Sequence, residues 1–222
     1  MTRTAIVLRP APGDAQTIAR LAARGIPARA LPLFAIEPVA WSLPDGDFDA
    51  LLVTSANAMR HAGAGLAAVR ALPVIAVGEA SAAAAREAGL RVAITGASDG
   101  AAAIAAARAA GFTRLLHLVG HDRIGLTGVT AITVYRSRAL DPAPGALAAA
   151  SGQVVLLHSP RAARRFAALV DRDGVARDTI RLAALSEAVA CAAGRGWGET
   201  LIAPRPDDAL LVALAAKLAI DP

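Results

Sequence analysis

The single tyrosine of the chain is the residue best placed to assist a chemical step. Tyr135 ends an apolar stretch, residues 131–135, and the basic run Arg136-Ser137-Arg138 follows it directly. A phenol can donate a proton to a leaving group and carries no charge at neutral pH. A core tyrosine with a satisfied hydroxyl is an equally weighted alternative. The sequence therefore marks Tyr135 as a candidate catalytic residue whose role depends on its surroundings.

Small polar residues follow the predicted strands at the points where helices begin. Helix-start N–H groups and the positive end of the helix dipole attract anionic oxygens, and small side chains let a ligand approach the backbone. Taken singly, Ser55, Ser81, Ser98 and Ser159 are better explained as helix caps. Taken together, these positions predict an anion-binding surface formed by Thr54, Ser55, Asn57, Gly78, Ser81, Gly120, Ser159, Arg161 and Ser186.

Sequence motifs for several other kinds of site are missing. The chain has no G-x-G-x-x-G after its first predicted strand and no G-x-x-x-x-G-K-[ST], which argues against dinucleotide and nucleoside triphosphate sites. His117 and His121 are four residues apart, but His117 lies in a predicted strand, so the two do not form a helical zinc pair, and His121-Asp122 is better explained as a solvated pair. Cys191 is the only cysteine, so it forms no internal disulfide, and we expect it to be buried.

The charge composition favours a small anionic ligand. The formal net charge is +5, and Lys217 is the only lysine, so arginine supplies nearly all the positive charge. Arginine forms planar, bidentate contacts with carboxylates and phosphates. The arginines are dispersed and aromatic residues make up only 3% of the chain, which argues against nucleic-acid binding. Apolar runs fall short of a membrane span, and no signal peptide is predicted, so we expect a cytoplasmic protein.

The alternation of short apolar runs with alanine-rich stretches predicts parallel β–α units. Among the predicted elements are one strand over residues 28–36 and one helix over residues 56–68. A faint internal repeat connects the two halves: residues 50–55 resemble 154–159, and residues 74–81 resemble 182–189. Asp99 and Asp207 continue this series, which predicts two homologous domains.

Five segments, in this order and spacing, resemble the uroporphyrinogen-III synthase family: residues 54–58, 77–81, 133–136, 158–162 and 204–218. The resemblance implies an α/β fold with two similar parallel-sheet, flavodoxin-like domains. A two-stranded ladder would join them, with the chain crossing twice and a cleft between the domains. One domain would comprise residues 1–35 and 140–222, and the other residues 36–139.

The resemblance also implies a reaction that needs no cofactor and no metal. Hydroxymethylbilane, a linear polycarboxylate tetrapyrrole, would be cyclised to uroporphyrinogen III with loss of water and inversion of ring D. Tyr135 matches the family's tyrosine and would assist departure of the terminal hydroxyl. Ser55, Ser81 and Ser159 match cleft-lining positions, and backbone amides near Gly78, Gly120 and Ser186 would hold carboxylates. Ala188 and Val189 stand where many relatives carry threonines, so hydroxyl groups are missing there.

Hydroxymethylbilane is thus the expected partner, without nucleic acid or membrane. We expect a monomer, and a transient contact with the preceding enzyme of the pathway stays open. Two other functions are compatible with the residues. A two-domain binding protein could clamp a small anion without chemistry, and a glycosyl- or nucleotide-transferring enzyme would need a metal or a sugar nucleotide.

Overall fold

The computed structural model of the chain describes residues 2–96, 99–123 and 125–220, which form eleven strands and seven α-helices. The strands are β1 (Ala5–Val7), β2 (Ala28–Ala30), β3 (Phe34–Pro38), β4 (Ala50–Val53), β5 (Val74–Ala76), β6 (Val92–Thr95), β7 (Leu115–Gly120), β8 (Thr130–Ala139), β9 (Val154–Leu157), β10 (Arg181–Ala184) and β11 (Glu199–Ile202). The helices are α1 (Gly13–Ala22), α2 (Ala56–His61), α3 (Glu79–Glu87), α4 (Gly100–Ala109), α5 (Pro160–Arg172), α6 (Glu187–Ala193) and α7 (Asp208–Ala219). None of the helices in these residues combines the length and apolar character that a membrane crossing requires.

The chain divides into two compact units, each with its own sheet. Unit 1 comprises Met1–Ala35 and Ala139–Pro222, and unit 2 comprises Ile36–Arg138. The sheet of unit 1 is parallel, with the strand order β11-β10-β9-β1-β2 that is typical of flavodoxin-like folds. The other sheet has the order β3-β8-β7-β4-β5-β6, and its strands from β8 to β6 are parallel. The fold is therefore α/β, with two regions built on parallel strands.

The central strands are buried on both faces, as their unbroken apolar sequences predict. In β9, Val154 and Leu156 pack in the cluster that contains residues of α7, whereas Val155 and Leu157 pack in the cluster that contains residues of α5. Strand β4 divides its residues in the same way between α2 and α3 on one face and α4 on the other. Alternate side chains of a strand point to opposite faces, so helices on both faces require an apolar residue at every position.

The repeat seen in the sequence corresponds to equivalent parts of the two sheets. Strands β4, β5 and β6 are successive neighbours in one sheet, and β9, β10 and β11 are successive neighbours in the other. The strand starts also match. Asp49, before β4, accepts hydrogen bonds from the N–H groups of Thr113 and Arg114 before β7, and Gln153, before β9, accepts one from the N–H of Thr4 before β1.

Two predicted elements and one predicted environment are wrong. Residues 28–36 form two strands, because Pro32 interrupts the stretch and β2 and β3 belong to different sheets. Helix α2 ends at His61 and a 3₁₀ helix follows over Gly63–Val69, because Gly63 takes a left-handed conformation with φ of 61°. Cys191 is exposed, since the short helix α6 buries Val189 and Ala193 on its other face.

The helix caps permit a matched test of local stability. Ser159 precedes α5 and its hydroxyl accepts a hydrogen bond of 3.2 Å from the N–H of Ala162, whereas Ser186 occupies the same position before α6 without such a bond. We expect Ser159→Ala to lower the free energy of unfolding by about 1 kcal/mol. Ser186→Ala serves as the control and should lower it by at most a few tenths. Urea unfolding measures both, and equal losses would contradict the capping role of Ser159.

Candidate functional site

A pocket of about 450 Å³ lies within unit 2, at the carboxyl ends of two adjacent strands. Strand β4 ends before Thr54, strand β7 contributes His117 and Gly120, and strand β8 contributes Tyr135. The first residues of α4 and the residues that follow β7 complete the wall. In parallel sheets, ligands bind at this edge because the loops and helix starts converge there. Its wall includes Thr54, Gly100, His117, Gly120, Arg123 and Tyr135.

His117 is a buried histidine that faces this pocket. It is only 3% exposed, and its Nε2 lies 3.0 Å from the hydroxyl oxygen of Thr54. Burial, followed by the positive charge of Arg123, lowers the pKa of His117 to about 4. The imidazole is therefore neutral at pH 7. A neutral imidazole next to a hydroxyl supplies a hydrogen-bonding pair at the pocket.

Tyr135 lies against Gly120 on the neighbouring strand. The two residues are paired in the β7–β8 register, which shifts between Val119 and Gly120. A Cβ atom added to Gly120 would lie 2.6 Å from the Cζ atom of the Tyr135 ring, so only glycine leaves room for the ring in this position. The ring of His61 is the other aromatic neighbour, at 6.3 Å between centroids. Backbone and side-chain packing together fix the phenol at the pocket.

Charged groups of both signs surround the pocket. The guanidinium of Arg123 donates a hydrogen bond of 3.0 Å to the hydroxyl of Thr133. Asp99 caps α4 by accepting a bond of 2.9 Å from the N–H of Ala102, and the Asp122 carboxylate lies 3.2 Å from Nδ1 of His121. Both carboxylates thus have partners of their own. The wall also contains a guanidinium, a neutral imidazole, a hydroxyl and a phenol, which are groups that can bind an anion or donate a proton.

The structure brings together only some of the residues that the sequence singles out. Thr54, Gly120 and Tyr135 line the pocket. The other candidates of unit 2 lie elsewhere: the Ser55 hydroxyl accepts a bond of 3.2 Å from the N–H of Asn57 and so caps α2, and Gly78 caps α3 through its extended backbone. Ser81 is not a helix cap, since it is the third residue of α3, and it is only 6% exposed.

The remaining candidates belong to unit 1. Ser159 and Ser186 are the N-caps of α5 and α6. The guanidinium carbon of Arg161 lies 4.5 Å from the centroid of the Phe34 ring, which is a cation–π contact. Ser98 lies outside the described residues. No group of three or more His, Cys, Asp or Glu side chains within 2–96, 99–123 and 125–220 could hold a metal ion.

Unit 1 contains an ion network that the sequence analysis missed. Asp208, the first residue of α7, accepts hydrogen bonds from Thr17 at 3.0 Å and Arg20, and its Oδ1 lies 2.8 Å from Nε2 of His158. Arg9 is 3.4 Å from the same oxygen. Burial would raise the pKa of Asp208, but the hydrogen bonds from His158, Arg20 and Thr17 outweigh burial and hold this pKa well below its usual range.

His117 and Arg123 are also residues that sequence reasoning missed. A signal for His117 was present: it is the one polar residue in the apolar strand Leu115-Leu116-His117-Leu118-Val119, and a buried polar group needs a partner. Arg123 carries no comparable signal, because it lies in a connection without periodicity. Its relevance follows only from the position of its charge beside the pocket.

The neutral state of His117 predicts a loss of stability in acid. Between pH 6.5 and about 4, the unfolded chain binds a proton at this residue while the folded chain does not. The free energy of unfolding should therefore fall as the pH is lowered through this window, by about 3 kcal/mol in total. His117→Gln, whose amide does not titrate, should lack this contribution. Urea unfolding of both proteins from pH 7 to pH 4 measures it, and parallel pH profiles would refute it.

Comparison with known proteins identifies the family. The family model described as uroporphyrinogen-III synthase HemD matches residues 15–213. The uroporphyrinogen-III synthetase structure from Helicobacter pylori 26695 is similar in fold, with a TM-score of 0.67 and 14% identity, over 97% of this chain and 99% of that chain. A Thermus thermophilus uroporphyrinogen III synthase aligns over 99% of this chain and 100% of its own, with 16% identity and a TM-score of 0.44.

A search of curated proteins finds no match. The family model nevertheless spans most of both units, from α1 to α7. The chain belongs to the uroporphyrinogen-III synthase family and is a cyclising lyase of tetrapyrrole biosynthesis.

Proposed function

We propose that this chain performs the family's reaction with Tyr135 as the residue that assists the first step. Hydroxymethylbilane is cyclised to uroporphyrinogen III, with loss of water and inversion of ring D. The family match over residues 15–213 favours this function over an anion-binding protein without chemistry. The observation that carries the role of Tyr135 is its position, packed on Gly120, in the wall of the pocket that the buried His117 also lines.

The first step is the departure of the terminal hydroxyl of the substrate as water. Tyr135 donates a hydrogen bond or a proton to this oxygen, and the carbon–oxygen bond breaks as the pyrrole nitrogen supplies its electron pair. The pyrrole N–H proton is then lost, which replaces any proton that the phenol gave, so that one water leaves and an electron-poor azafulvene forms. The substituted carbon of ring D then attacks it and gives a spiro intermediate, which fragments and closes again with the ring inverted. The pyrroles supply the electrons of each step. The protein contributes proton donation and the orientation of the two ends of the chain.

The substrate's carboxylates need cationic and N–H partners. In unit 2, Thr54 and Arg123 line the pocket, and the start of α3 at Gly78 offers backbone N–H groups. In unit 1, the starts of α5 and α6 at Ser159 and Ser186 are the corresponding candidates. We propose that these strand-end groups bind the carboxylates of the substrate, with Ser55, Asn57, Ser81 and Arg161 as neighbouring members of the same set.

We also propose that the two units are the family's two domains. The unit boundaries fall after Ala35 and after Arg138, which lie within strands β3 and β8. These strands are hydrogen-bonded neighbours, as the N–H of Val39 bonded to the carbonyl of Val134 illustrates. A pair of this kind, at the two positions where the chain passes from one unit to the other, supports the proposed two-stranded ladder.

The product isomer provides the direct test of function. Purified protein is supplied with fresh hydroxymethylbilane, and the oxidised products are separated by chromatography. Uncatalysed closure gives the type I isomer, so we expect the protein to divert the product to type III. Chromatograms identical to those of the protein-free control would exclude this function for the chain.

The role of Tyr135 has a separate test. Tyr135→Phe removes the hydroxyl and retains the ring that packs on Gly120, so the fold and KM should change little. We expect kcat for the type III isomer to fall about a hundredfold, at the lower end of what general acid catalysis contributes. Thermal unfolding provides the control for stability. A variant with the kcat of the parent would show that the phenol plays no part in the departure of water.

A further inference from the structure

The two units have equivalent positions at the edge of their sheets. Thr54 and His158 each follow a buried central strand and precede a serine that caps the next helix. Gly100 and Asp208 each follow a capping aspartate and begin the helix that succeeds the third strand of the repeat. Strand β7 lies beside β4 as β1 lies beside β9. The pocket of unit 2 and the Asp208 network of unit 1 therefore occupy the same place in the fold.

In unit 1 this place is filled by a carboxylate. Asp208 is bonded there by an imidazole from His158, a hydroxyl from Thr17 and a guanidinium from Arg20. Helix α1 follows β1 and supplies two of these partners, Thr17 and Arg20. The side chain of Asp208 is only 16% exposed, so the network leaves little room for any other anion.

In unit 2 the residue equivalent to Asp208 and the connection equivalent to α1 are different. Gly100 stands at the position of Asp208, and the described residues between β7 and β8 contain no helix to correspond to α1. What remains is the pocket of about 450 Å³. Its wall nevertheless offers the same three chemical groups that hold Asp208: the hydroxyl of Thr54, the imidazole of His117 and the guanidinium of Arg123.

We propose that this pocket binds one carboxylate side chain of the ligand in the place that the Asp208 carboxylate occupies in unit 1. The proposal rests on the proposed function, which supplies the ligand: the acetate or propionate side chain of a pyrrole ring. Such a group has the same terminal carboxylate as an aspartate, attached to a ring that the apolar wall at Val119 and Leu126 can contact. One ring of the substrate would thus be anchored next to Tyr135.

The charges around the pocket are compatible with this anion. Asp99 and Asp122 oppose it, but the first is engaged by the N–H of Ala102 and the second lies beside His121. Arg123 attracts it, and so would a protonated His117. Because a neighbouring negative charge favours the imidazolium form, binding of a carboxylate should raise the pKa of His117 from about 4. The protein would then take up a proton as the ligand binds.

The test transfers the carboxylate of unit 1 into unit 2. Gly100→Asp places an aspartate at the first position of α4, as Asp208 stands in α7, and Gly100→Ala is the matched control. In both variants the new Cβ atom meets the flexible end of Leu126, at 2.7 Å from its Cδ1, so the steric change is shared. We expect Gly100→Asp to raise KM about tenfold over Gly100→Ala, because the pocket already holds a carboxylate.

The second readout is the ring of His117 in NMR titrations, assigned with His117→Gln. We expect Gly100→Asp to raise the pKa of His117 relative to Gly100→Ala, and added propionate to raise it in the parent protein but not in Gly100→Asp. Equal KM values for the two folded variants, or a His117 pKa in the parent that propionate leaves unchanged, would overturn the proposal. The parent's type III isomer assay tests the function independently, so the two failures are distinguishable.

Discussion

Burial of the central strands on both faces decides where polar groups can be placed in this protein. In β4 and β9, helices cover both sides of the sheet, so every residue of these strands is apolar and fully buried. A polar group in such a strand would lose its water without a partner, at a cost of about 1–3 kcal/mol. The first positions at which polar groups become tolerable are Thr54 and His158, directly after the strands. The candidate chemistry therefore lies at the strand ends.

His117 is the exception that this constraint allows. It is buried within β7, but its Nε2 has the Thr54 hydroxyl as a partner, and burial keeps the ring neutral at pH 7. The hydrogen bond to Thr54 and the neutral state of the ring both reduce the desolvation penalty of His117. A charged residue in the same place would need a counter-ion, and in the corresponding network of unit 1 the Asp208 carboxylate pairs with the guanidinium of Arg20. At this edge of the sheet, unit 2 thus has a neutral imidazole, whereas unit 1 has a carboxylate paired with a guanidinium.

The parts of the structure that depend on local sequence could be predicted. Apolar runs predicted the strands, and small polar residues predicted the helix starts. The internal repeat, with a spacing of 104 to 108 residues, predicted which strands of the two sheets are equivalent. The failures have local causes as well. Pro32 divides one predicted strand into two. Helix α3 begins at Glu79, so its N-cap is Gly78, and Ser81 is the third residue of the helix.

The site itself depends on contacts between residues that are far apart in sequence. Thr54 and His117 meet because β4 and β7 are neighbours, and Thr17 and Asp208 meet across 191 positions of the chain. No periodicity reveals such a pair, since each partner alone resembles a cap or a surface residue. Arg123 is harder still, because only the position of its charge beside His117 gives it a meaning.

The two repeats also show how one scaffold can yield a stable network in one unit and an open pocket in the other. The differences are few: a glycine for an aspartate at the start of one helix, and a short connection in place of α1. Each difference removes side chains that would otherwise fill the strand-end space. The hydroxyl, imidazole and guanidinium groups nevertheless remain in unit 2, where Gly100 brings no carboxylate to the position of Asp208. Because Tyr135 lies in the wall of that same pocket, an anion bound there would be held next to the phenol.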